Sequence, residues 1–443
     1  MEIKSIRQVQ NLAGKKVLLR VDFNVPLKGG KVVEDYKIAQ SLATIRYLLR
    51  YKCQVTIATH LGDPKGKKVK ALSTEPVAKR LAALLGEKVT FVPEVVGEKV
   101  LRAVREQSPQ PPLSRGQSKK EIIFLENLRF YPGEEKNDKV FAATLARPFD
   151  LCVNNAFAVC HREHASVVAI KKYLPTYAGL LLEDEIINLS KAMHPQKPLV
   201  IVIGGAKIST KLPLIFNFLK KADHILVGGA IANDFIKGLG YEVGKSVVGK
   251  DAVQLKRAIK IYRRVGNKKI ILPLDFVVSD RLDETEPTPS LPLVKGGRTQ
   301  PHPDPLLARR GRNTGITKND RAVEVRSINQ IKKTDYILDI GPKTIGFYAK
   351  YIKAANTLIW NGPMGLFEQD AFRHGTMAIA RLVASRSTGH AFGVVGGGET
   401  VEALKKTLMI EQVDWVSTGG GAMLDFLAGR AMPGLKGLVK GNL

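Results

Sequence analysis

The residues of this chain best suited to chemistry stand where short apolar runs end. In the N-terminal half, "RVDFNVP" carries Arg20, Asp22 and Asn24, "ATHLGDP" carries His60 and Asp63, "ENLRF" carries Arg129, and "CHREHAS" carries His161, Arg162 and His164. A guanidinium fork binds phosphate or carboxylate through two parallel hydrogen bonds, so several forks and imidazoles converging on one rim suit a small molecule bearing both groups. A lone arginine at a strand end is more often a surface ion pair, but four such motifs on one edge argue for a site. The run His161, Arg162, Glu163, His164 is not read as a metal site. Adjacent residues on regular structure face different ways, and no cysteine or aspartate partner has ligand spacing.

The C-terminal half supplies glycines instead. "VIGGAKISTK" (Gly204, Gly205, Lys207, Lys211), "VVGGGETVEAL" (Gly397, Gly398, Glu399, Thr400) and "VSTGGGAMLDFLAG" each read as a strand, a glycine turn and a helix start. Free N–H groups at such a turn favour an anion, or the missing side chains permit close packing of a flat base. One such turn is commonplace; three in one half are not. Lys207 and Lys211 fall one helical turn apart, on one face. "WNGPMGLFE" adds Asn361 and Glu368, groups able to bind ribose hydroxyls. Neither the G-x-x-x-x-G-K-[ST] loop nor the G-x-G-x-x-G spacing is present, which argues against P-loop mechanics and a dinucleotide enzyme.

The elements that must position these residues follow from the patterning. Four β-branched runs before residue 160 and seven after residue 198 end in Gly, Asn, Asp or His and are apolar on both faces. Separated by helical patterns, they predict two covered parallel sheets, the first four runs in one and the rest in the other. In an open α/β sheet, ligands bind at the strands' carboxyl edge, where the polar residues cluster. "STEPVAKRLAALLG" predicts a helix with Ser73 and Thr74 as caps, Pro76 in its first turn and Gly86 at its stop. Residues 177–195 read as an amphipathic helix joining the lobes, halted by "HPQKP" and serving as a hinge. Two Pro-, Gly- and Arg-rich segments, 105–120 and 284–315, have no period and read as inserted surface loops. The expected division is 1–176, 177–195, 196–428, and a tail, 429–443, returning to the first lobe.

Composition bounds the class. The 443 residues exceed what one core usually serves, and 44% apolar with 25% charged residues is ordinary for a globular chain. No window approaches a membrane span, no secretory h-region opens the sequence, and Cys53, Cys152 and Cys160 are too scattered for a disulfide framework. A reducing cytoplasm is the expected compartment. The formal charge of +28 is spread along the chain. Without a nucleic-acid-binding signature it reads as a field steering polyanionic metabolites, with no nucleic acid as main partner.

Taken jointly and in this order, "RVDFNVP", "HLG-P", "ENLRFYPGEEKND", "GGAKISTK", "DIGPKT", "WNGPMGLFE", "GGGET" and "STGGGAMLDFLAG" make the chain resemble the phosphoglycerate kinases, from the first strand almost to the C-terminus apart from the two insertions. The resemblance implies two Rossmann-like lobes, with 3-phosphoglycerate or 1,3-bisphosphoglycerate on the first and Mg²⁺-bound ADP or ATP on the second. It assigns acid-substrate contacts to Asp22, Asn24, Lys37, His60, Asp63, Arg129 and Arg162. Nucleotide contacts fall on Gly204, Gly205, Lys207, Lys211, Asn361, Glu368, Gly397, Gly398, Glu399 and Thr400. Lys37, Lys207 and Lys211 become the catalytic cations, Glu399 the metal-facing carboxylate, and the chain a monomer.

Departures from the family pattern carry their own expectations. Lys37 stands where the family has arginine, keeping the charge but losing the fork, which predicts a lowered rate. Asp63 replaces a cation: either it points away or it weakens substrate binding. Glu399 replaces aspartate, one methylene longer, so metal binding survives with shifted geometry. "RAMPGLKGL", with Ala431, lacks the family's acidic residue before the proline, which bears on how the tail packs. A rival reading is a catalytically impaired relative serving as a nucleotide- or RNA-binding scaffold.

Overall fold

Apolar runs flanked by helices build two parallel six-stranded sheets. The first has the order Lys88–Val92, Glu121–Leu125, Gln54–Ala58, Lys16–Arg20, Leu151–Asn154, Thr176–Ala178. The second runs Ile270–Ile271, His224–Val227, Leu199–Ile203, Thr357–Asn361, Phe392–Gly396, Trp415–Ser417. This computed structural model describes residues 2–107, 121–206, 208–282 and 323–441. Strand Leu199–Ile203 is buried at every position, as helices on both faces of a parallel sheet require. Among the described residues, no helix is long and apolar enough to cross a membrane.

The sheets depart from the sequence reading in three places. Lys88–Val92 and Thr176–Ala178 join the first sheet as its two edge strands. They are short or polar, as edges tend to be. The run "KIILPLDF" divides at Pro273, which has no N–H for a ladder. Its second half, Asp275–Ser279, pairs antiparallel with Glu324–Ser327 and Tyr336–Ile340 in a separate three-stranded sheet, so "YILDIG" also lies outside the main sheet. Segment 105–120 is helical at its start, since helix Glu98–Glu106 extends into it. Its remainder beyond residue 107, and the whole of 284–315, lie outside the described residues.

Helix Glu75–Leu85 starts and stops where expected, ending on Gly86 at φ +72°, the left-handed conformation glycine adopts without strain. Its start is held differently. The Ser73 hydroxyl accepts from the Glu75 N–H at 3.3 Å, while the Thr74 hydroxyl donates to the Leu125 carbonyl. Thr74 is buried against the strand end and makes no cap bond.

The linking helix runs Leu180–Met193, because Tyr177 and Ala178 belong to the preceding strand. It enters both cores: Leu180 packs with the first lobe, while Leu182, Ile186 and Leu189 pack with the second. Each such buried side chain contributes about 1.5–3 kcal/mol, so the helix is anchored at both ends. The C-terminal segment returns to the first lobe. Val439–Lys440 pairs antiparallel with Glu2–Ile3, and the Lys171 ammonium donates to the carbonyls of Pro433, Gly434 and Lys436 at 3.2, 2.7 and 2.9 Å. Ala431 plays no part in those bonds.

Candidate active site

The carboxyl ends of the first sheet's strands deliver a buried polar rim. Asp22, two residues past strand Lys16–Arg20, pairs with the Lys37 ammonium at 2.7 Å and lies 3.7 Å from His60 Nδ1. Burial alone would raise the Asp22 pKa, but Lys37, His60 and Arg20 outweigh it and hold the carboxyl below its ordinary range. His60 is pushed well below the usual imidazole range by burial and by the repulsion of Arg20, Arg129 and Lys37, with Asp22 opposing. It is therefore a neutral ring near pH 7. The Asn24 side chain accepts from the Gly62 N–H at 2.9 Å, and Arg129 donates to the Gly62 carbonyl at 2.7 Å. One backbone turn thus ties two rim residues together.

Behind the rim lies a network that the sequence reading did not assemble. Arg20, fully buried, donates to the Ser166 hydroxyl at 2.9 Å, and Ser166 donates to the buried Glu134 carboxylate at 2.6 Å. Arg20 Nη2 stands 3.3 Å from His60 Nδ1. Burial lowers the Arg20 pKa, with Glu134 and Asp22 compensating. Guanidinium stays charged even so. His164 turns inward, 3.8 Å from Glu134, and its pKa falls to about 3 through burial and the surrounding arginines.

Three strand ends of the second sheet interlock. The Gly204 N–H donates to the Asn361 carbonyl at 3.0 Å, Gly205 N–H to Pro363 at 2.9 Å, and Gly229 N–H to Met364 at 2.9 Å. A Cβ on Gly204 would lie 2.0 Å from the Pro363 oxygen, and one on Gly362 2.1 Å from the Gly204 oxygen. Here the glycines permit backbone to close on backbone. Gly205 and Gly229 line an apolar cavity of about 240 Å³ together with Leu338, Pro363, Glu368 and Glu399 among others; Gly204 does not line it.

The Lys211 ammonium bonds the Asn361 side chain, whose amide donates to the Gly396 carbonyl at 2.6 Å; neither residue is among those lining that cavity. The Gly362 N–H donates to the Thr400 hydroxyl at 2.7 Å. Burial pulls the Lys211 pKa down to about 8, with Glu399 opposing. Lys207 lies outside the described residues.

A second cavity, of about 770 Å³, lies between the lobes. Asp22, Asn24, Lys37, His60, Arg129 and Arg162 wall one side, and Gly397, Gly398 and residues 418–421 wall the other. Asp63 is exposed and is not among the residues lining it. Glu399 lines the apolar cavity while its neighbour Gly398 lines the cleft, so the two spaces meet at that turn. Sequence reasoning missed Tyr36, Lys405 and Leu338. The signal for Leu338 was present in "YILDIG", a strand ending in glycine, whereas nothing local marks Tyr36 or Lys405.

A family profile described as phosphoglycerate kinase matches residues 6–430. The chain belongs to the phosphoglycerate kinase family. It is 42% identical over 436 residues to the phosphoglycerate kinase of Rubrobacter xylanophilus, covering 98% of each chain. To that of Pelotomaculum thermopropionicum it is 39% identical over 440 residues, covering 99% of this chain and 100% of the other. Among solved structures it is similar to the Coxiella burnetii phosphoglycerate kinase (TM-score 0.76, 35% identity, 99% of each chain). It is likewise similar to that of Pyrococcus horikoshii OT3 (TM-score 0.77, 31% identity, 98% of each chain). Membership makes the chain a phosphotransferase of glycolysis with a carboxyl group as acceptor.

Proposed function

We propose that this chain moves a phosphoryl group reversibly between the acyl phosphate of 1,3-bisphosphoglycerate, held on residues 1–176, and ADP, held on residues 196–428. Residues 177–195 act as hinge, and 429–443 tether the tail to the first lobe. The observation carrying this reading is the interlobe cavity, cationic on one wall and glycine-lined on the other. Asp22, Asn24, His60, Arg129 and Arg162 hold the acid. The apolar cavity takes the base, Asn361 and Glu368 serve the ribose, and the turn 397–400 with Lys211 and Lys207 serves the phosphates. Asp63, exposed beside this rim, acts on the substrate only at long range.

Phosphoryl transfer asks the protein for in-line placement and neutralisation of the equatorial oxygens more than for a general base. Lys37 and Lys211 bring one ammonium from each lobe. The ion pair with Asp22 aims Lys37 at the rim; Lys211, largely desolvated, interacts more strongly with phosphate than a surface lysine would. Closure about the hinge excludes water that would hydrolyse the acyl phosphate.

Among the described residues no group of three or more His, Cys, Asp or Glu could by itself hold a metal. Mg²⁺ commonly keeps several waters and binds through one or two carboxylates plus substrate phosphates. A single carboxylate, Glu399, at the junction of the two cavities fits that habit, and the bound ion would offset phosphate charge. The chain acts as a cytoplasmic monomer, in keeping with three buried free thiols.

A coupled assay of ADP phosphorylation tests the reading with wild type and Lys211→Ala. Turnover in the first, reduced about 10²-fold or more in the second, is expected; a wild type without turnover sinks it.

A further inference from the structure

One contact outside the assigned residues crosses the mouth of the cleft. Helix Tyr36–Arg50 presents Lys37 as its second residue, and Glu34 lies just ahead of it. Glu34 Oε1 accepts from the Tyr36 N–H at 2.7 Å and from the Lys405 ammonium at 2.5 Å. Lys405 belongs to helix Gly398–Lys406 of the other lobe, whose first turn holds Glu399 and Thr400. The same ammonium stands 4.5 Å from the centre of the Tyr36 ring. Tyr36 itself packs against the second lobe's core, its hydroxyl 3.5 Å from the Val416 carbonyl oxygen.

We propose that Glu34, Tyr36 and Lys405 form a clasp that sets the separation between Lys37 and the Glu399 turn, and so act as positioning residues for the transfer. The proposal rests on the reading above that Lys37 and that turn serve the two substrates. One carboxylate oxygen satisfies an otherwise free N–H at the start of the Lys37 helix and receives a cation from across the cleft. Whatever moves Lys405 therefore moves the turn presenting Lys37. Helix Gly398–Lys406 has nine residues and behaves as a short rod, so its Lys405 end and its Glu399 end shift together. The linking helix and the returning tail already join the lobes; the clasp adds a contact at the cleft itself, between the turn ahead of Lys37 and the helix that holds Glu399, and so restricts rotation there.

A merely structural role makes a different prediction. The pair is partly exposed, 32% for Lys405 and 41% for Glu34, and an ion pair of that kind adds little to global stability. As a stability device it would leave turnover unchanged when removed. As a positioning device its loss misplaces reacting groups, which lowers the rate while each substrate's own contacts survive.

The test uses the full chain as wild type, Lys405→Met, Lys405→Arg and Tyr36→Leu. Steady-state kinetics are measured with ADP and 1,3-bisphosphoglycerate. Small-angle X-ray scattering is recorded without ligand and with 3-phosphoglycerate plus Mg-ATP. Lys405→Met and Tyr36→Leu should lower kcat about 5- to 20-fold with both KM values within about twofold of wild type. Their radius of gyration should exceed wild type's with and without ligand, and Lys405→Arg should keep at least about half the wild-type kcat. Raising salt should slow wild type more than Lys405→Met. Wild-type kcat and scattering in Lys405→Met and Tyr36→Leu overturns the clasp, as does a kcat loss accompanied by a lowered melting temperature or proportionate KM changes. A wild type without turnover sinks the proposed function instead, and ligand-free scattering then decides the clasp alone.

Discussion

Lys37 and Lys211 are both ammonium groups in partly buried settings, yet their surroundings differ in sign. Lys37 rests on a carboxylate whose own pKa is depressed; Lys211 rests on a neutral amide, and burial pulls it to about 8. In the free protein Lys211 thus loses its charge as pH rises through about 8. Bound phosphate favours the charged form and lifts the pKa again. We expect kcat/KM for ADP to fall on the alkaline side of about pH 8 while kcat holds to higher pH. Lys211→Arg should remove that fall, because guanidinium stays charged; an Arg variant with the wild-type profile would refute the assignment. Linkage has the matching sign: the unfolded chain binds more protons between about 8 and 10.5, so Lys211 costs stability below that window and the cost fades across it. The residue types at the rim were legible in the sequence. The Arg20–Ser166–Glu134 chain was not, because its members lie 32 and 146 positions apart and only burial makes them partners.

At the scale of elements, the glycine turns divide into two kinds that look alike as strings. Gly362 sits at φ +98° with backbone 2.1 Å from its missing Cβ, while Gly398 has neither a left-handed φ nor any atom within 4 Å. Gly362→Ala should therefore cost about 2–4 kcal/mol in denaturant unfolding. Gly398→Ala should stay within about 0.5 kcal/mol of wild type yet weaken nucleotide binding about tenfold, since its methyl would occupy the surface offered to phosphate. Calorimetric titration with ADP decides this, and an unchanged Kd for Gly398→Ala would remove that turn from the phosphate site. Most strands were visible as apolar runs. Lys88–Val92 escaped because an edge strand is only half covered, and the antiparallel placement of Tyr336–Ile340 depends on its partner Asp275–Ser279, 57 or more positions away, which no local pattern reveals.

For the whole molecule, the linking helix is tied to the second lobe through Glu185. Its fully buried carboxylate accepts from the Thr418 N–H at 2.7 Å, the Thr418 hydroxyl at 2.8 Å and Trp415 Nε1 at 2.8 Å. Glu185→Gln would turn an amide N–H toward one of those donors. A loss of about 1–3 kcal/mol in stability follows from the unmatched pair, together with a lower kcat as the closing geometry loosens. Binary dissociation constants for ADP and 3-phosphoglycerate, measured separately, should barely move. If they weaken as much as kcat falls, the residue belongs to a binding site and not to the hinge.

Local patterning by itself determined the sheet class, the stops at Gly86 and after Met193, the polar edge of each sheet and the chemistry gathered there. Those features depend on period, turn residues and the side-chain inventory, all written within a few positions of one another. Only the tertiary structure decided that Asp63 lies off the cleft, that Thr74 turns to Leu125, that Glu134 holds Arg20 from behind, and that Lys405 reaches Glu34 from 371 positions away. The reason is that such pairings carry no local periodicity: they exist once chain segments distant in sequence are buried together and each polar group must find a partner.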